Sequence, residues 1–269
     1  MTSDNLLALK GITKEYKEFR LGPLDLSVPR GYVMGLVGAN GAGKTTAIKI
    51  ALGAVLPGNG SAHLIHKTRV GVVLDQPCWQ ATWRVRDLSR LLGPFYPGWD
   101  QRVFDELCEW AGVSQRLKVR EFSRGMGMKV QVAVALAHRA ELLVLDEPTS
   151  GLDPLARSEL LDKLSEFMTD ERHSVLFSTH ITTDLDRMAD LVTILDAGRV
   201  IASGARDDLL EAWAMVRGGA ADLTGELRAR IRGLRQHSAG WEGLIAAADL
   251  GLCGTGVVAD TPSVEDLLV

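Results

Sequence analysis

Gly38, Gly41 and Gly43 fall within the stretch "GANGAGKTT", which ends in Lys44, Thr45 and Thr46. Glycine is costly in backbone entropy, so such a run points to a chain that must approach something closely. Successive N–H groups of such a loop turn inward, and a helix starting at Lys44 would add positive potential from its N-terminus; both suit a polyphosphate. The pattern GxxxxGK[ST] is met by Gly38, Gly43, Lys44 and Thr45, with Asn40, Gly41 and Thr46 completing the loop. Lys44 would reach the outer phosphates of a nucleoside triphosphate and Thr45 would ligate magnesium.

A second group stands in "LLVLDEP", where Asp146 and Glu147 end an apolar run. Adjacent acids there are expensive unless cations or water meet them. Asp146 would hold magnesium through its water shell, and Glu147 would polarise an attacking water as general base. A third lies in "EFSRGMGMKVQVAVALA", with Ser123 and Gly125 at the start of an apolar-periodic helix whose first N–H groups lack partners. Alone, that piece reads as a helix cap.

These residues need elements to hold them. "YVMGLVG" is a buried-strand pattern running into the glycine loop, and "KTTAIKIALGAV" follows with helical spacing. "RVGVVLD", "AELLVLDEP" and "HSVLFSTH" read as further buried strands, with "PLARSELLDKLSEFMTD" as a helix between the last two. "LVTILDAGRVIASG" reads as a hairpin-like pair turning at "DAG". Strands alternating with helices predict an α/β layer with a mostly parallel sheet. Short β-prone runs at Leu6 to Ile12 and Leu24 to Val28 precede it. From Gln76 to about Arg139 the pattern turns helical, and Trp79, Trp83, Trp99 and Trp110 cluster there, which predicts a separately packed helical lobe.

The chain has 269 residues, 46% hydrophobic and 24% charged, ordinary for a globular protein. Its formal net charge of -4 argues against a general grip on nucleic acid. The basic run "RARIRGLR" is expected to be a solvated helix face. Cys78, Cys108 and Cys253 are far apart, without the spacing of a zinc or redox pair, and read as small buried hydrophobes in a reducing compartment. The start "MTSDNLLALK" lacks the pattern of a signal peptide, and no apolar stretch approaches the ~18 residues that span a bilayer. Any work at a membrane would then need another chain to span it.

In order along the sequence, "GANGAGKTT", "FSRGM", "LLVLDEP", "SGLD" and "STH" resemble the phosphate loop, signature, Walker B strand, D-loop and switch of the ATP-binding cassette ATPases. The resemblance covers about residues 6–210. It implies a P-loop NTPase core with a mostly parallel sheet, a small antiparallel β lobe and an inserted helical subdomain. The implied cassette is 1–217, with its core at about 1–75 and 140–217 and the helical subdomain at about 76–139; 218–269 is then a C-terminal accessory segment. By resemblance Tyr16 stacks on adenine, His180 contacts the γ-phosphate, and Asp153 couples two sites across a dimer. Each ATP, with Mg2+, would lie between one protomer's phosphate loop and Ser123 and Gly125 of a second ATPase subunit, an identical copy in the simplest case.

The resemblance further implies a cytoplasmic ATPase on the inner face of the membrane that drives separate transmembrane permease subunits, of the ABC-2 exporter type by its "SRGM". A soluble cassette ATPase and a nucleotide-gated regulatory subunit are the alternatives; the intact Lys44, Asp146, Glu147 and His180 weigh against the latter. The chain departs from the family pattern at two places. Phe122, Arg124 and Met126 replace the Leu, first Gly and Gln of LSGGQ. In "VVLDQP" the family's lid-loop glutamine falls on Asp75, with Gln76 next to it, so either residue is the candidate to meet magnesium. The segment "GSAHLIHKTRVGVV" is also short for the family, which predicts a trimmed β lobe with His63 and His66 on its surface.

Overall fold

The structure, a computed structural model, describes residues 4–268. Its first half runs β1 (Asn5–Glu15), β2 (Arg20–Pro29), β3 (Val33–Val37), α1 (Lys44–Ala51), β4 (Asn59–Leu64), β5 (Val70–Val73), α2 (Val85–Leu92), α3 (Gln101–Trp110) and α4 (Arg124–Ala137). There follow β6 (Leu142–Asp146), α5 (Pro154–Phe167), β7 (Ser174–Thr179), α6 (Thr182–Met188), β8 (Leu191–Asp196), β9 (Arg199–Ala205) and α7 (Arg206–Glu211). The last part holds β10 (Trp213–Gly218), α8 (Gly225–Arg230), β11 (Arg232–His237), β12 (Gly240–Ala246) and β13 (Val258–Asp260).

The central sheet has the order β5-β6-β7-β3-β8-β9 and is parallel except for β9, which turns back against β8. Every residue of β3, β6 and β7 is buried. Such strands, covered on both faces, need continuous apolar runs, which is how they read in the sequence. Successive side chains serve opposite faces. Leu142 and Val144 join the core shared with β1, β2 and α1, while Leu143 and Leu145 join the core beneath α4 and α5. An antiparallel sheet of order β2-β1-β4 completes the first of these layers; His63 and His66 near its third strand are exposed, as expected.

Register fixes where chemistry can occur. Val37 pairs with Thr179 and Asp146 with Ser178, so the chain leaves β3, β6 and β7 side by side at Gly38, Glu147 and His180. The carboxyl ends of parallel strands are where doubly wound sheets hold ligands.

The helical lobe is a packed unit, with α2, α3 and α4 enclosing Val85, Leu88, Phe104, Leu107, Val130 and Val134. Trp79, Trp83, Trp99 and Trp110 all pack against that cluster. Asp100 caps α3 by accepting from Arg102 N and Val103 N. These bonds, that from Val103 first, hold its carboxyl below the usual range. Cys108 lies in this core, where burial pushes its thiol up to about 12. Cys78 is exposed instead of buried, because it lies in the loop after β5.

Past α7 a further antiparallel sheet has the order β11-β12-β10-β13. The division expected at 217/218 falls inside β10, which pairs with β12 and β13 from Trp213 onward. The basic run is also not one helix face. Its first arginines end α8 and its later ones lie on β11, where Arg232 stacks over Trp213 at 4.6 Å and Arg235 faces Glu242 at 3.9 Å. Gly233, at φ 58, accompanies an irregular register in β11 that helical spacing does not reveal.

Trp241 is 1% exposed at the centre of this small core and donates through Nε1 to Gly219 O at 2.8 Å. Trp241→Ala should therefore destabilise the C-terminal sheet by about 3–5 kcal/mol. The expected signature is faster hydrogen exchange in β10 and β12 with unchanged protection in β6; equal loss in both would mean that the two sheets unfold as one.

Candidate functional site

The loop between β3 and α1 is shaped by close approach. A Cβ on Gly38 would stand 2.2 Å from Leu195 O, and one on Gly43 would stand 2.9 Å from both Phe19 Cζ and Leu21 Cδ1. Gly43 also sits at φ 109, where side chains are strained. Glycine at both positions lets the loop wrap tightly into the first turn of α1, whose Lys44, Thr45 and Thr46 line a cleft of 220 Å³. Phe19, Asn40, Gly41, Thr45, Thr46 and Glu147 are among its walls.

Lys44 is 4% exposed and donates to Gly38 O at 2.6 Å and to Ala39 O at 3.1 Å. Its Nζ also lies 3.0 Å from Glu147 Oε1. The other oxygen of Glu147, Oε2, shares a 2.7 Å hydrogen bond with Nδ1 of His180. Asp146, 4% exposed, accepts from Ser178 Oγ at 2.7 Å. Glu147 N donates to both Ser178 O and Ser178 Oγ at 3.1 Å. Glu147 itself sits at φ 52, a left-handed conformation costing a side-chain-bearing residue about 1–2 kcal/mol. The bonds to β7 hold it there and turn its carboxylate toward Lys44.

The donor set fits a magnesium–nucleotide complex. Oε1 of Glu147 is buried and touches Lys44 only as an ion pair, outside hydrogen-bond geometry. A buried carboxylate oxygen without a hydrogen bond is costly, and a water or cation shell would satisfy it. Asp146 and Thr45 are the further oxygen donors, with Thr45 exposed at the cleft.

Several sequence candidates stand elsewhere in the chain's own fold. Ser123 caps α4, accepting from Met126 N at 3.2 Å, and neither it nor Gly125 is among the cleft's described walls. Asp153 caps α5, accepting from Leu155 N at 3.1 Å and Ala156 N at 3.0 Å. Tyr16 is 47% exposed, its ring centroid 6.4 Å from that of Phe19, the aromatic that does line the cleft. In the lid loop Asp75 is ion-paired to Arg124, while Gln76 is exposed.

Other residues support the site without having signalled themselves in the sequence. Asp184, 2% exposed, accepts from Thr149 Oγ1 at 2.6 Å and from Arg157 Nε at 2.7 Å, and Arg157 Nη2 donates to Thr183 Oγ1 at 2.7 Å. This network ties the segment after Glu147 to the helix that follows His180. The end of the chain also arrives here. Val264 is 1% exposed in the core, and Leu267 and Leu268 share a cavity of 460 Å³ with Gly38, Asn40, His180 and Asp196. No spacing marks Asp184, whose partners lie 35 and 27 residues away; for the tail there was only its apolar content.

Among known proteins, the family described as ABC transporter matches residues 21–150. The Nod factor export ATP-binding protein I of Cupriavidus pinatubonensis is 34% identical over 223 residues, covering 77% of this chain and 68% of that one. The bacitracin transport ATP-binding protein BcrA of Enterococcus faecalis is 28% identical, over 75% of this chain and 70% of its own. A solved ATP-binding subunit of an ABC transporter superimposes with a TM-score of 0.67 at 29% identity, covering 76% of this chain and 91% of that one.

Asp184→Ala should strand the Arg157 guanidinium and the Thr149 hydroxyl and cost about 2–3 kcal/mol. The urea midpoint should fall accordingly, and Asp184→Asn, which keeps an acceptor for Thr149, should lose less. Equal midpoints for parent and Asp184→Ala would show that the network carries no net stability.

Proposed function

Because the chain belongs to the ABC transporter family as an ATP-binding and ATP-hydrolysing subunit, we propose that it powers export through separate membrane subunits by closing on ATP and reopening after hydrolysis. The relatives whose names speak of Nod factor export and bacitracin transport support the transport reading. No described helix is long and apolar enough to cross a membrane. From the transport named in its relatives we infer separate permease subunits as the span, with this chain peripheral on the cytoplasmic face. We assign the cassette to residues up to α7 and the accessory unit to β10 onward.

The observation that carries the catalytic assignment is the placement of Glu147 between Lys44 and His180. Lys44 exchanges its contacts with Gly38 O and Ala39 O for phosphate oxygens, while the loop N–H groups and the start of α1 hold the rest of the polyphosphate. Loss of the lysine contact frees Glu147 to accept a proton from the attacking water. His180, already bonded to the same carboxylate, orients it and reaches the γ-phosphate. Thr45 and Asp146 would hold magnesium, whose charge offsets that developing on the phosphates. Tyr16 and Phe19 offer aromatic surface for the base.

Ser123 and Gly125 are not walls of this cleft. We assign them to the ATP of a second copy, where the cap of α4 would present its N–H groups to the γ-phosphate. Each active site would then draw on two chains, which links closure to hydrolysis.

Glu147→Gln should bind ATP yet lose turnover by about 10²-fold or more. With magnesium ATP its light-scattering mass should double, and without nucleotide it should remain that of one chain; near-normal turnover would remove Glu147 from the role of general base. At the lid loop, Gln76→Ala should raise the magnesium concentration needed for half-maximal turnover. Asp75→Ala, whose carboxylate is already engaged by Arg124, should leave that requirement unchanged; the reverse pattern would assign the magnesium contact to Asp75.

A further inference from the structure

The two places where the chain departs from its family's pattern are in contact. Arg124 of "FSRGM" and Asp75 of "VVLDQP" form an ion pair between Nη2 and Oδ1. Arg124 is the first residue of α4, directly after the Ser123 cap. Its side chain also lies over Gly151 of "SGLD", where a Cβ would stand 3.2 Å from Arg124 Nε and 3.6 Å from Cζ. One guanidinium therefore pairs with the lid loop and stands close over the D-loop from the signature helix. A glycine at position 124 would reach neither. About two helical turns behind it, Gln131 is 3% exposed and clamps the same loop, accepting from Leu74 N at 3.0 Å and donating to Leu74 O at 2.9 Å.

The ion pair is well exposed, with 39% of the Arg124 side chain and 49% of the Asp75 side chain open to solvent. Exposed pairs add little to folding stability, so stability does not account for the matching of charges at these two positions. Position does. Ser123 and Gly125 flank Arg124, and their N–H and hydroxyl groups can meet a phosphate only if the first turn of α4 is set at the right height and angle.

We propose that Arg124 and Asp75 are a positioning pair for ATP turnover, joining the lid loop and D-loop of one chain to its signature so that Ser123 and Gly125 are presented to the ATP of a second copy. This rests on the reading in which the two copies share each site. The pair occupies the positions of the Gln and first Gly of the family pattern without taking over the magnesium contact, and each of its members is useful only with the other.

The test is a double-mutant cycle on the full chain: Asp75→Asn, Arg124→Gln and both together, with Arg124→Lys as the charge-keeping control. Each neutral single variant should lower kcat about fivefold, keep KM for magnesium ATP within about twofold, and unfold at the parent temperature. The double variant should be no slower than the slower single one, since the second substitution removes a partner already lost. Arg124→Lys should retain most of the parent kcat. If the parent hydrolyses ATP as a nucleotide-dependent dimer while neither single variant changes kcat, or if the two losses multiply in the double variant, the pair has no joint positioning role. A parent that turns ATP over as a monomer overturns the shared-site reading and the role of the pair with it.

Discussion

A lysine that is 4% exposed, held 3.0 Å from a buried carboxylate oxygen, is the contact around which the rest of the structure is arranged. Removing such charges from water costs several kcal/mol per ion, and the attraction repays it only with good geometry and further hydrogen bonds. Here Lys44 comes from α1, Glu147 from the end of β6 and His180 from the end of β7. Only the register of β3, β6 and β7 brings those ends together. The hydrogen bonds from Glu147 N to Ser178 then fix the left-handed backbone that aims the carboxylate. The core is thus organised to make one strained, partly satisfied polar cluster affordable.

That cluster stays unfinished within the chain. Lys44 uses backbone carbonyls as partners, and Glu147 Oε1 lacks a hydrogen bond. A site that is already neutralised would gain little from a triphosphate; this one would gain by exchanging carbonyl and carboxylate partners of Lys44 for phosphate oxygens. The same economy extends outward. Asp153 and Ser123 serve as helix caps at the N-termini of α5 and α4, so residues that the family pattern assigns to a dimer are also held in place by local bonds. Pre-ordering of this kind lowers the entropic cost of meeting a partner.

Much of this was legible before the structure. Continuous apolar runs marked β3, β6 and β7, because strands covered on both faces admit no alternation. The loop "GANGAGKTT" was legible because tight backbone and phosphate binding both demand glycine. The boundary before the C-terminal sheet was not. Trp213 to Gly218 follow α7 with no turn signal, and only their pairing with β12 and β13 assigns them to that sheet. "RARIRGLR" is hidden for a similar reason: charge spacing suggests a helix, but the irregular strand register at Gly233 is decided by its pairing with β12. The exposed Cys78 shows the limit of composition, since burial depends on where a loop runs.

Contacts between motifs were the least legible feature, because no local pattern encodes them. Asp184 meets Thr149 and Arg157 across 35 and 27 residues, and Asp75 meets Arg124 across 49. Asp184, Arg157, Asp75 and Arg124 each read locally as an ordinary surface charge, and Thr149 as an ordinary hydroxyl. Their partners are set by the order of the strands: β5 beside β6 brings the lid loop under α4, and β6 beside β7 brings the switch beside the D-loop. Phosphate chemistry is written in short sequence patterns because a few consecutive backbone groups perform it. The coupling of one phosphate contact to another is written in sheet topology, where pairing of distant segments decides which charges can touch.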